Sequence, residues 1–116
     1  MPSISIKRAY EPPAASDGRR VLIDRLWPRG VSKAEAELDE WLKDVAPSDA
    51  LRRWFGHKPE RWAEFRRRYL AELKDAPGVE ALRKLAADGP LTLVYGARDE
   101  AHNDAVVLAE LLTKDD

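Results

Sequence analysis

The chain has no cysteine among its 116 residues. Disulfide staples, thiolate nucleophiles and cysteine-ligated metals are therefore excluded. It has only two histidines, so a histidine-rich metal site is not expected. No charged-then-apolar leader opens the sequence and no long apolar run interrupts it. The expectation is a soluble, non-exported, cytoplasmic protein that does not enter a membrane. A large excess of one charge is also missing, because 20 Lys and Arg face 21 Asp and Glu for a net charge of −1. Proteins that coat nucleic acid are usually basic overall, so any nucleic-acid contact would have to come from a local patch.

What is present fits one domain over residues 1–116, close to the commonest domain size and long enough to bury a core. The organising stretch is Arg19 to Gly30. Val21-Leu22-Ile23 is a short apolar run, β-branched at two of three positions, as in a strand buried on both faces. Pro28 cannot donate to a ladder and Gly30 permits a positive φ, so a strand over 20–26 is predicted to end in a turn. That turn carries Asp24, Arg25, Trp27 and Arg29 to the carboxyl end of a strand, where ligands bind in open α/β sheets.

Upstream, residues 3–8 alternate, with Ile4 and Ile6 on one side, which predicts an edge strand. Asp17-Gly18 marks a turn. Ser32 with Glu35 has the capping-box spacing. Residues 38–45 read as helix or irregular chain. Ser48 is a predicted N-cap, and Gly56 stops the helix that follows. Trp62, Phe65, Tyr69 and Leu73 share a helical face, which predicts a helix from Pro59 to about Asp75. Pro77-Gly78 breaks it, and a further helix follows over 79–88. Leu91 to Tyr95 is the second buried strand. Asp99 is the predicted cap of a last helix with Glu100 in its first turn, and residues 114–116 are expected to fray. Helical crossovers between strands predict a small α/β domain, a short and mostly parallel sheet flanked by helices. Strands 20–26 and 91–95 are the candidate central neighbours, which would set the Asp24–Gly30 turn beside the loop over 96–103.

RVLIDRLWPRGVSK (residues 20–33), HKPERWAEFRRRY (57–69) and LVYGARDEAH (93–102) together resemble the YeaO-like family of unknown function, DUF488, over nearly the whole chain. The resemblance implies the fold class but no activity or cofactor. A regulatory label of the MarR type has been attached to similar sequences, but the chain has no helix-turn-helix plus wing pattern. A larger related branch carries a cysteine–histidine–arginine run after the second buried strand. The matching positions here are Asn103, Asp104 and Ala105, so thiol chemistry is out of reach.

Three constellations carry candidate chemistry. Asp24, Arg25 and Arg29 could recognise an anion through the planar guanidinium fork, with Trp27 covering the ligand; alternatively an Asp–Arg pair merely orders the turn over a core tryptophan. Arg98, Asp99, His102 and Asn103 precede a helix whose free amides favour an anion. There His102 could move a proton with Asp99 orienting it, or the segment is simply a capped helix start. His57, Lys58 and Arg61 lie near a helix start and could reach the same rim, or belong to a solvated basic face. A metal set of His57 and His102 with Asp24 or Asp99 has no supporting spacing, and no metal is assigned.

The candidate catalytic residues are thus Asp24, His102 and Asp99. The candidate ligand-binding residues are Arg25, Trp27, Arg29, Arg98, Asn103, His57 and Arg61. Three functions remain open. One is acid–base chemistry of the hydrolase or transferase kind on a small anionic or phosphorylated ligand. Another is nucleic-acid binding or regulation through Arg52, Arg53, Arg61 and Arg66 to Arg68. The third is metabolite sensing without catalysis. Four tryptophans in so short a chain also make a homodimer surface a candidate.

Overall fold

The computed structural model describes residues 3–114. Four parallel strands form one sheet in the order β1-β4-β2-β3. They are β1 (Ile4–Arg8), β2 (Arg19–Leu22), β3 (Glu40–Trp41) and β4 (Leu91–Tyr95). Five helices accompany them: α1 (Lys33–Ala36), α2 (Asp49–Phe55), α3 (Trp62–Leu73), α4 (Pro77–Asp88) and α5 (Asp104–Lys114). The expected α/β class is correct, with β1 at an edge and β2 beside β4 at the centre. Every residue of β4 is buried, as its unbroken apolar run implies.

Period-two alternation gives the sheet two unlike faces. Val21, Ile23, Leu91, Leu93 and Tyr95 face the main core, which α2, α3, α4 and α5 complete with Phe55, Phe65, Tyr69, Leu82 and Leu108. On the opposite face Leu22 and Val94 meet Ala9, Trp27, Leu38 and Trp41. Loops and the short α1 cover that side. Beside this second cluster lies a buried polar knot. The Arg20 guanidinium donates to the Asp17 carboxylate at 2.7 Å and to the Ala36 carbonyl at 2.9 and 3.1 Å. Lys7 adds a second cation at 3.2 Å from Asp17. Burial opposes ionisation of Asp17, but the Ala14 amide, Lys7 and Arg20 outweigh it and hold its carboxyl below the usual value.

The predicted caps form. Ser32 and Glu35 exchange the two bonds of a capping box at 3.0 and 3.1 Å. Ser48 caps α2 through the Leu51 amide, and Gly56 closes it at φ 53°. Four expectations need correction. The strand expected over 20–26 ends at Leu22, because Asp24 leaves the ladder to accept the Gly96 amide with its side chain. Residues 40–41 form β3 rather than helix or irregular chain, because β2 has free edge groups: Asp39 and Leu42 donate to the Arg20 and Leu22 carbonyls at 2.8 and 3.0 Å. The break between the two helices is present, but Pro77 and Gly78 open α4 rather than precede it, because a proline is tolerated in the first turn. The last helix starts at Asp104, five positions after the expected cap, because Asn103 and not Asp99 caps it. Residues 115–116, part of the expected frayed end, lie outside the described residues.

Candidate functional site

The carboxyl ends of β2 and β4 open into a cleft of ≈ 280 Å³. Its position follows from local chemistry. Ile23 makes the last ladder bond, to the Val94 carbonyl at 3.1 Å. Asp24 then turns, and its Oδ2 accepts the Gly96 amide at 2.8 Å. Its carbonyl is held by the Trp41 indole N–H at 2.7 Å. A side chain at Gly96 would place its Cβ 3.2 Å from that Asp24 oxygen, a tight contact that the Asp24 carboxylate would have to shift slightly to relieve.

The loop over 96–103 is shaped by Asp99. Its Oδ1 accepts the amides of Ala101 and His102 at 2.9 and 3.0 Å, and its Oδ2 meets His102 Nδ1 at 2.9 Å. The His102 contact comes first among the bonds that hold the Asp99 carboxyl below its usual value. The His102 ring stands edge-on to Trp62, with centroids 5.2 Å apart. Asn103 donates to the Asp99 carbonyl at 2.8 Å and caps α5 by accepting the Val106 amide at 3.1 Å.

Asp104 follows at the first position of α5 and lines the same cleft as Asp24. The two carboxyls share a hydrogen bond. Burial, then the neighbouring charge of Asp24 and the bond between them, push the Asp104 carboxyl well above the ordinary value. On the other side of the cleft Arg25 and Arg52 both reach Asp49, at 3.3 and 2.9 Å. The Arg52 bond is the first cause that keeps Asp49 below its usual value. Leu26, Ala46, Pro47, Phe55, Phe65 and Ala97 supply the apolar wall.

Of the residues selected from sequence, Asp24, Arg25, His57, His102 and Asn103 line this cleft, and Asp99 supports it through His102. Four others lie elsewhere. Trp27 packs on the opposite sheet face, 5.4 Å from Trp41, and donates to the Val31 carbonyl at 2.6 Å. Arg29 offers its carbonyl to Tyr10 at 3.0 Å and is not in the lining. Arg98 is exposed and outside the lining. Arg61 donates to the Trp54 carbonyl and stacks on that ring at 5.1 Å. Asp104, Arg52 and the phenylalanine wall were not selected for this rim. Asp104 follows a cap residue at a helix start, so in sequence it reads as an ordinary first-turn acid. Only its tertiary pairing with Asp24 distinguishes it. Among the described residues no three His, Cys, Asp or Glu side chains are grouped to hold a metal ion. No helix there is long and apolar enough to cross a membrane.

Residues 3–115 match the model of a family described as DUF488-N3i, the inactive DUF488-N3 subclade. The chain is 45% identical over 111 residues to the uncharacterized protein YeaO of Escherichia coli (strain K12), covering 95% of this chain and 96% of that one. It is also 45% identical over 109 residues to the uncharacterized protein Rv3073c of Mycobacterium tuberculosis (strain ATCC 25618 / H37Rv), covering 94% and 92%. The uncharacterized protein Mb3100c of Mycobacterium bovis matches to the same extent. No solved structure matches the chain.

Proposed function

The chain belongs to the DUF488-N3i family, the inactive DUF488-N3 subclade, and from that premise we propose that it binds a small molecule carrying an anionic group, without turning it over. The cleft at the ends of β2 and β4 is the binding site. The observation that carries this reading is the pairing of Arg25 and Arg52 on one carboxylate, Asp49, at the cleft mouth. Two guanidiniums on one carboxylate leave net positive charge and uncommitted N–H donors facing a concave, largely apolar surface. The cleft lining contains no serine, threonine, tyrosine or lysine beside His102 to act as a nucleophile. That agrees with the family's description as inactive and favours sensing or sequestration over catalysis.

The arginine-rich face of α3 lends less support to nucleic-acid binding. Arg67 and Arg68 are both bound to Glu64, the latter at 2.7 Å, and Arg66 to Glu110 at 3.0 Å. These ion pairs offset two of the three positive charges that phosphates would need, and the face lies on an exposed helix surface rather than in a cleft.

The test is a thermal-shift titration with small carboxylates, sugar phosphates and nucleotides, comparing the wild type with Arg25→Ala and Arg52→Ala. A ligand at a hundred times its Kd stabilises by about 2.7 kcal/mol. The expected result is a shift in the wild type that both variants reduce, with no product formed. Equal shifts in all three proteins, or turnover of a bound compound, would overturn the reading.

A further inference from the structure

We propose that the ligand is a small zwitterion, an amino acid or a molecule of that kind, with its ammonium on Asp24 and Asp104 and its carboxylate on Arg25 and Arg52. This rests on reading the cleft as a binding site and adds the chemistry of the ligand's second end.

The cleft is charged at two places and apolar between them. At its mouth the side chains of Arg25 and Arg52 keep 51% and 46% of their exposure, and with Asp49 they sum to one positive charge. Asp24 and Asp104 are further withdrawn from solvent. Both carboxyls line the cleft there and offer it oxygen acceptors and negative charge. A ligand that is only an anion can satisfy the mouth but meets repulsion deeper in. A ligand that is only a cation meets the reverse. A zwitterion satisfies both, and each charge then exchanges its water for charge-assisted hydrogen bonds.

The amino end of α5 does not offer the deep position to an anion. Asn103 accepts the Val106 amide, and the Asp104 carboxyl takes backbone amides at the start of the helix, its own and that of Ala105. The chain's own groups already occupy the place an outside anion would take. A metal cation is a poorer match than an ammonium. Two carboxyls fall short of the three or more protein ligands a metal site uses, and no larger set is grouped among the described residues. An ammonium needs only acceptors, and the phenyl rings of Phe55 and Phe65 line the same cleft. The volume of ≈ 280 Å³ suits a molecule of amino-acid size.

The experiment is a calorimetric titration of the whole protein with the common amino acids and straight ω-amino acids. Each is compared with the carboxylic acid lacking its amine and the amine lacking its carboxylate: leucine with 4-methylpentanoate and isopentylamine, 6-aminohexanoate with hexanoate and hexylamine. The expected result is a zwitterion that binds at least tenfold more tightly than both of its partial analogues. The double variant Asp24→Asn with Asp104→Asn, which removes the negative charge of the pair, should abolish that preference over the carboxylate without weakening the carboxylate's own binding. Asp104→Asn alone, which leaves the Asp24 carboxylate in place, should retain the preference, and its loss in that variant would overturn the charge assignment. Carboxylates or phosphates that bind as tightly as any zwitterion would overturn this inference and leave the binding site standing. Amines that bind as tightly as zwitterions would overturn the role of the arginines. No binding of any compound in either panel would overturn both.

Discussion

Replacing Asp104 by asparagine should stabilise the fold above about pH 5 and flatten its dependence on pH. In the unfolded chain an aspartate gives up its proton near pH 3.9. In the fold Asp104 keeps its proton well beyond that, because its carboxyl is buried and hydrogen-bonded to Asp24. Between the two values the folded state binds one more proton than the unfolded state. The contribution of Asp104 to stability is then greatest at low pH and falls as pH rises, by up to about 1.4 kcal/mol per pH unit, until Asp104 ionises in the fold. At about 2.1 cal/mol/K per residue, the 116 residues give an unfolding entropy near 0.24 kcal/mol/K. The slope thus corresponds to about 6 °C of Tm per pH unit.

Asparagine retains the shape and the helix-start hydrogen bonds but has no proton to lose. The assay is thermal unfolding of both proteins by circular dichroism at pH 5, 6, 7 and 8. Contributions from groups common to both cancel in the difference. The variant's Tm should exceed the wild type's by an amount that grows with pH. Curves that run parallel across this range, or a variant that is less stable throughout, would refute the raised Asp104 carboxyl.

Other consequences follow from single contacts. Asp17→Asn should cost about 3–5 kcal/mol in a denaturant titration, because it leaves the buried Arg20 guanidinium without its counter-charge. Tyr69→Phe should cost about 1–3 kcal/mol, because the fully buried Val45 carbonyl loses the phenol that donates to it. The Glu64 carboxyl is pulled down to about 2, first by its bond to Arg67 and then by Arg68. Its contribution is present above the ordinary glutamate value and lost as pH falls through about 2, so Glu64→Gln should lower the Tm slightly at pH 7 to 8, the pair being exposed, and converge with the wild type as pH falls through about 2.

The sequence announced the elements whose signal is local. Ser32 with Glu35, Ser48 and Gly56 act where their spacing places them, because a cap is decided within four residues. Leu91 to Tyr95 is central because five consecutive buried side chains suit only a strand covered on both sides. β3 was hidden because Glu40-Trp41 has no strand pattern of its own and is recruited by the free edge of β2. The start of α5 was misplaced because Asp99 and Asn103 are both competent caps. The choice falls to Asn103 once Asp99 is occupied by the amides of Ala101 and His102 and by the His102 ring.

The rim divides in the same way. Asp24 and Arg25 were legible from a strand that ends in a turn, and His102 and Asn103 from a loop that precedes a helix. Trp27 and Arg29 belong to the same turn but point away, and nothing local distinguishes them. Asp104 and Arg52 reach the cleft from α5 and α2, so their roles depend on packing across the sheet.

The most direct test of the account is an amide NMR titration of the labelled protein with pooled small carboxylates, phosphates and amino acids. The account predicts shifts concentrated at Arg25, Gly96, Ala97, His102, Asn103 and Asp104, and absent from the amides of Trp27, Trp41 and the α3 arginines. Shifts centred on α3 or on the Trp27–Trp41 face, or no shifts with any pool, would contradict it.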